Sequence, residues 1–95
     1  MTINKVVSGD KLGIVLEGRL DTMTAPQLDE ALAKEVGDWK GAFVDLTKVE
    51  YISSAGLRVL LSICKRYGGL EVKGANATIK EVFEITGMDS VFTIL

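Results

Sequence analysis

Apolar positions recur along this chain with two different periods, and the switches between them set out its elements. Ile3 to Val7 is a short β-branched stretch, closed by Ser8-Gly9-Asp10-Lys11, which carries turn residues. Leu12 to Glu17 then alternates, with Leu12, Ile14 and Leu16 on one side and Gly13, Val15 and Glu17 on the other. Two such runs around a short glycine-containing turn predict a β-hairpin.

From Thr24 the period becomes helical. Thr24 is placed as an N-cap, with Pro26 in the first turn, where its missing N–H costs little. Asp29 and Glu30 favour the same end through the helix dipole. Leu28, Ala31, Leu32 and Val36 form one stripe, so the helix is expected to run to Gly37. Ala42-Phe43-Val44-Asp45-Leu46 is a brief apolar run suited to a strand covered on both faces. A polar stretch follows, then Tyr51-Ile52-Ser53-Ser54-Ala55-Gly56. The second helix carries Leu57, Leu60, Leu61 and Cys64 on one face with Val59 and Ile63 beside them, which predicts broad burial, and Gly68-Gly69 stops it.

Leu70 to Lys73 alternates as a strand. Asn76 or Thr78 caps a third helix, Thr78 and Glu81 having capping-box spacing. Ile79, Val82 and Phe83 form its apolar face, and Gly87 suits the C′ position. The tail, Val91 to Leu95, reads as a final strand or as a last helical turn. Strands alternating with helices after a hairpin predict one α/β domain over residues 1–95, with a mixed sheet that is parallel in its body.

Composition narrows the chemistry. The 95 residues are 47% hydrophobic and 25% charged with a net charge of −2, which supplies one core and an ordinary polar surface. Lys65-Arg66 is the nearest thing to a basic cluster, so nucleic acid is not the expected partner. Histidine is absent, which rules out a Ser-His-Asp or Cys-His centre within the chain. With Cys64 the only cysteine, neither an internal disulfide nor a zinc site of the usual kinds can form, and no metal or cofactor is expected. The opening residues have no apolar core of signal-peptide length, and no run is long enough to cross a bilayer. The expectation is a cytoplasmic protein, not inserted in a membrane, that binds a partner and is not an enzyme.

The candidate site is the segment from Asp45 to Leu57. In an open α/β sheet, ligands gather at the loops beyond the carboxyl ends of the strands. Asp45 is expected near such an end, either as a functional carboxylate or as a turn residue bonding nearby N–H groups. Ser53 and Ser54 feed the second helix, where a hydroxyl caps an orphan N–H and an added phosphate would also be favoured. Gly56 reads as a point of close backbone approach. Cys64 reads as a core residue and Trp39 as an edge-of-core residue. Arg58, Lys65 and Arg66 read as a solvated helix face, with Arg58 the more interesting because a cation is disfavoured early in a helix.

The run Asp45-Leu46-Thr47-Lys48-Val49-Glu50-Tyr51-Ile52-Ser53-Ser54-Ala55-Gly56-Leu57-Arg58 resembles the signature of the STAS domain, the family of bacterial anti-sigma factor antagonists. The resemblance extends to Gly18-Arg19-Leu20-Asp21 with Thr24-Ala25-Pro26-Gln27-Leu28, and to Glu81-Val82-Phe83-Glu84-Ile85-Thr86-Gly87-Met88. It implies a mixed four- to five-stranded sheet flanked by helices. It further implies that the unphosphorylated protein binds an anti-sigma factor that is also a serine kinase, so releasing a sigma factor. Phosphorylation at the start of the second helix ends that complex, and a serine phosphatase resets it.

Carried onto this chain, the phosphoacceptor is Ser54, and the partner surface is Asp21, Thr22, Asp45, Ser53, Ser54, Ala55, Gly56, Leu57 and Arg58. Switch-bearing members usually carry Asp where this chain has Ser53. That leaves Ser53 as a second acceptor, and it keeps open a constitutive adaptor of a transporter or signalling complex. The chain is also compact at Tyr67-Gly68-Gly69-Leu70, between the second helix and the strand after it.

Overall fold

The computed structural model describes residues 1–95. Two strands open the chain, β1 (Thr2–Ser8) and β2 (Lys11–Leu20), and pair antiparallel from Thr2 opposite Glu17 to Ser8 opposite Lys11 without a break in register. Gly9 makes this two-residue turn feasible, because its φ of 61° lies where side chains are disfavoured. Then come α1 (Ala25–Ala33), β3 (Gly41–Ile52), α2 (Ser54–Tyr67), β4 (Leu70–Lys73) and α3 (Ala77–Thr86). A 3₁₀ turn at Met88–Ser90 leads into β5 (Thr93–Ile94), so the tail is a short strand.

The sheet order is β1-β2-β3-β4-β5, the same as the chain order, and β2 through β5 run parallel. Parallel crossovers are right-handed almost without exception, so three that step in one direction place their helices on one face. The core agrees with this. Leu12, Ile14 and Leu16 of β2 and Val44 and Leu46 of β3 form one cluster with Leu28, Leu60, Ile79 and Phe83 from the three helices. The Phe83 ring meets Phe92 edge-on, 5.6 Å between centroids. Ala42 to Leu46 is buried apart from the half-buried Asp45, so the run is covered on both faces as expected, although the helices lie on one face only. Phe43 points to the other face, where it lies across Gly13 beneath the Lys73 ammonium, 4.1 Å from its ring.

Four local expectations are corrected. First, α1 stops at Ala33, and Val36 beyond it is 85% exposed, although it continues the apolar stripe. The stop is made by distant side chains. Lys5 donates to the Ala31 carbonyl at 2.8 Å, and Arg66 donates to the carbonyls of Leu32 and Glu35 at 2.7 and 2.9 Å. Arg66, exposed like Arg58 and Lys65 on the solvated face of its helix, thus also acts as a C-terminal clamp on α1.

Second, Asp29 and Glu30 lie beyond the first turn of this short helix, which contains no acidic residue. Third, the polar stretch after Leu46 is not a loop. β3 runs unbroken to Ile52, with register shifts against β2 near Val15 and Gly18. Fourth, α2 buries a single stripe, Gly56, Leu57, Leu60, Ile63 and Tyr67, while Leu61 and Cys64 are only half-buried.

Of the two cap options for α3, Asn76 is used, accepting from the Ile79 N–H at 2.8 Å, and Gly87 closes the helix at φ 76°. Trp39 packs against the edge of the core and donates to Glu35 at 3.3 Å.

Candidate functional site

The carboxyl ends of β2 and β3 lie side by side, with Leu20 opposite Ile52. Each strand leads directly into a helix on the same face, so two strand-to-helix loops meet there. One main-chain bond ties them together, the Ser53 N–H donating to the Leu20 carbonyl at 2.9 Å. Gly56 is what lets α2 settle against that join. A Cβ at position 56 would stand 2.7 Å from Leu20 Cγ, 2.8 Å from the Leu20 carbonyl oxygen and 3.0 Å from Ile52 Cγ1.

In the second loop, the two serines do different work. Ser53 has an extended backbone, and its Oγ accepts from the Gly56 N–H at 3.3 Å, so it is the N-cap of α2. Ser54 is the first helical residue, it is exposed, and its hydroxyl has no hydrogen-bond partner within the chain. The first turn of α2 contains no acidic residue, and the N–H groups of Ser54 and Ala55 have no main-chain acceptor at this end. The helix terminus therefore presents unopposed positive potential beside a free hydroxyl.

In the first loop, Asp21 takes the capping part expected of Thr24. Its Oδ1 accepts from the N–H groups of Met23 and Thr24 at 3.0 and 3.1 Å. Thr24 turns the other way, its hydroxyl donating to the Arg19 carbonyl at 2.6 Å and accepting from the Asp21 N–H at 2.9 Å. Thr24 makes no side-chain cap because its own backbone is already helical, which points the hydroxyl back along β2. Arg19 stacks over the Tyr51 ring at 4.8 Å, next to the join. Met23, 80% exposed, stands at the tip of this loop.

Between the two helix N-termini lies a cleft of about 370 Å³, lined by Thr22, Ala25, Pro26, Asp29, Ala55, Arg58 and Val59. The structure thus brings Asp21, Thr22, Ser53, Ser54, Ala55 and Arg58 to one end of the molecule, with Arg58 exposed and Ala55 half-buried. Gly56 and Leu57 share that place but are buried, so they position the surface from beneath. Asp45 does not join them. It lies mid-strand because β3 continues to Ile52, and its Oδ1 accepts from the Thr47 hydroxyl and N–H at 2.6 and 2.9 Å.

The site residues that the sequence did not announce are Met23, Pro26 and Asp29, placed there by the α1 N-terminus. No cluster of three His, Cys, Asp or Glu side chains is arranged to hold a metal ion.

Four carboxyls sit below their ordinary values, one of them, Asp21, in this site. The N–H of Thr24 foremost lowers Asp21, and the Thr47 hydroxyl lowers Asp45. Hydrogen bonds from Lys5 and Lys11 lower Glu35 and Glu71. A folded value below the unfolded one means stability that is fully present above about pH 4 and lost as pH falls through the lowered values. With no histidine to titrate, the thermal midpoint is expected to stay level from about pH 8 to pH 5 and fall below about pH 4. A midpoint that held steady down to about pH 2.5 in a thermal melt would contradict this.

The family model described as Mlab, STAS domain, matches residues 3–95. The chain belongs to the STAS domain family. Among its relatives is BtrV of Bordetella bronchiseptica, 38% identical over 84 residues that cover 83% of this chain and 72% of BtrV. The anti-sigma-B factor antagonist of Listeria monocytogenes is 36% identical over 92 residues, covering 90% of this chain and 79% of its own. A crystal structure of an anti-sigma factor antagonist from Mycobacterium paratuberculosis superposes with a TM-score of 0.85 at 26% identity, covering 98% of this chain and 83% of that one. These are the folds and the bacterial company of a small STAS domain. No helix of this one is long and apolar enough to cross a membrane.

Proposed function

We propose that this STAS domain is a cytoplasmic anti-sigma factor antagonist that acts by binding and not by catalysis. Its unphosphorylated form binds an anti-sigma factor that is also a serine kinase, and so frees a sigma factor. Phosphorylation of Ser54 ends the complex, and a serine phosphatase restores it.

The observation that carries this reading is the exposed, unbonded Ser54 hydroxyl at the first position of α2, beside a Ser53 hydroxyl already committed to capping. The names of the Listeria relative and of the Mycobacterium paratuberculosis structure support it. The physics also fits. A phosphate adds roughly −1.5 to −2 charges, which the helix N-terminus tolerates in the free protein. Against a partner surface with no matching cation, the same charge costs several kcal/mol, and each ~1.4 kcal/mol is about tenfold in affinity.

One observation favours a second reading, a STAS subunit that binds a transporter or signalling complex constitutively. Ser53 supplies only a hydroxyl where a carboxylate would otherwise stand next to the acceptor.

The deciding experiment maps phosphosites after incubation with ATP and each purified histidine-kinase-like serine kinase of the source organism. Phosphate on Ser54, absent from Ser54→Ala, is the expected result. Intact binding with neither serine modified would move the protein to the constitutive reading.

A further inference from the structure

We infer that the chain forms a two-fold dimer through the free edge of β1, a second copy supplying the strand that β1 lacks. An open sheet has two edges, and natural proteins guard both. Here β5 guards one by being only two residues long. The other edge, β1, has seven residues, no proline and no bulge. It is exposed along almost its whole length, with Val6 at 41% and Val7 at 66%. Its one charged residue does not stand guard. The Lys5 ammonium is drawn over the helix face onto Ala31 and Glu35, at 2.8 and 2.9 Å.

The hairpin determines which groups are free. In a two-residue turn the flanking pair exchanges main-chain bonds, and alternate residues follow suit. Ser8 and Lys11 flank the turn, so Ser8, Val6, Asn4 and Thr2 bond inward to β2. Ile3, Lys5 and Val7 turn their N–H and C=O groups outward.

A second β1 fits these groups in one register. With a two-fold axis at Lys5, Ile3 faces Val7 of the second copy and Val7 faces its Ile3, and every outward group on both strands gains a partner. Residues 3, 5 and 7 share the sheet face of Leu16, Ile14 and Leu12, so apolar meets apolar beside the helices. On the open face Asn4 meets Val6, and Thr2 meets Ser8. The opposed Lys5 pair is neutralised, each by its own Glu35. Sliding the strands by two residues would leave an outward residue unpaired and set Lys5 against an apolar neighbour. An edge of about 23 Å, at ~3.3 Å per residue, makes a small interface, so the dimer is weak and forms on the order of 100 μM chain.

Sedimentation equilibrium of the full chain from about 10 μM to about 1 mM tests this. The wild-type mass is expected to rise from 10.2 kDa towards twice that value. Val7→Pro removes an outward N–H and leaves the bonds to β2 in place, and Val7→Lys adds an unpaired cation opposite Ile3 with the main chain unchanged. Both are expected to stay at 10.2 kDa with an unaltered circular-dichroism spectrum. Amide exchange gives a second reading that does not depend on the variants. The amides of Ile3, Lys5 and Val7 should slow as wild-type concentration rises, while those of Asn4 and Val6 do not change. A wild-type chain that remains monomeric at about 1 mM overturns the inference, and so does a dimer that survives Val7→Lys.

Discussion

Replacing Ser54 by Asp is expected to weaken binding to the proposed partner kinase about 100-fold while leaving the free protein as stable as before, or slightly more so. The two halves of this result have separate causes. Ser54 is exposed and unbonded at the start of α2, so no contact within the fold is lost. A carboxylate in the first turn interacts favourably with the helix dipole, by roughly 0.3–1 kcal/mol. At the proposed interface the same carboxylate would have to shed water where wild type presents a neutral hydroxyl. About 3 kcal/mol for that desolvation corresponds to the expected hundredfold. Ser54→Ala, which adds no charge, should bind within about threefold of wild type. Titration calorimetry against the kinase found by phosphosite mapping measures both, and a thermal melt measures the stability. A Ser54→Asp protein that bound as tightly as wild type would remove the basis for the switch.

The second large effect is expected at Gly56. Alanine there brings a methyl group to 2.7 Å from Leu20 Cγ and 2.8 Å from the Leu20 carbonyl oxygen, closer than packed atoms tolerate. The side chain could rotate aside, but the carbonyl cannot yield freely, because it holds the Ser53 N–H. Overpacking of this kind costs about 1–3 kcal/mol, against a gain of up to about 1 kcal/mol in helix propensity. A net loss of up to about 2 kcal/mol lowers the thermal midpoint of a domain this size by up to roughly 15 °C. Position 58 serves as a control, since Arg58 is exposed and makes no salt bridge, so Arg58→Ala should leave the midpoint nearly unchanged. An unchanged midpoint for Gly56→Ala would show that α2 can move away from the β2–β3 join without cost.

What could be read from the chain, and what could not, divides along a physical line. The alternation of Leu12, Ile14 and Leu16, the αL glycines after α2 and α3 and the capping serine are local signals, and each stands where the residues place it. The errors come from interactions between distant segments. Val36 continues the α1 stripe, but Lys5 and Arg66, from a strand and from another helix, take up the last carbonyls of α1. Leu46, Val49 and Ile52 are buried at a spacing of three within a strand because the pairing with β2 shifts register nearby, and this erased the period-two signal. That lost signal also misplaced Asp45, which seemed to end a strand when it lies inside one. At the site, the serines and Gly56 were legible because they act on neighbours in sequence. The cleft was not, because it exists only where the α1 and α2 N-termini meet.

The coincidence of sheet order with chain order has a consequence for the protein's synthesis. A chain leaves the ribosome at about 5–20 residues per second, and its amino-terminal part has the first opportunity to fold. Here each new strand is received on the edge left by the strand before it, from Lys11 opposite Gly41 to Glu71 opposite Thr93. No late segment has to open a finished pair and insert between its strands. Once Tyr67 has emerged, β1, β2, β3, α1 and α2 are all outside, and with them both loops of the candidate site. That end of the molecule can therefore be assembled before β4, α3 and β5 have emerged to close the far side of the sheet.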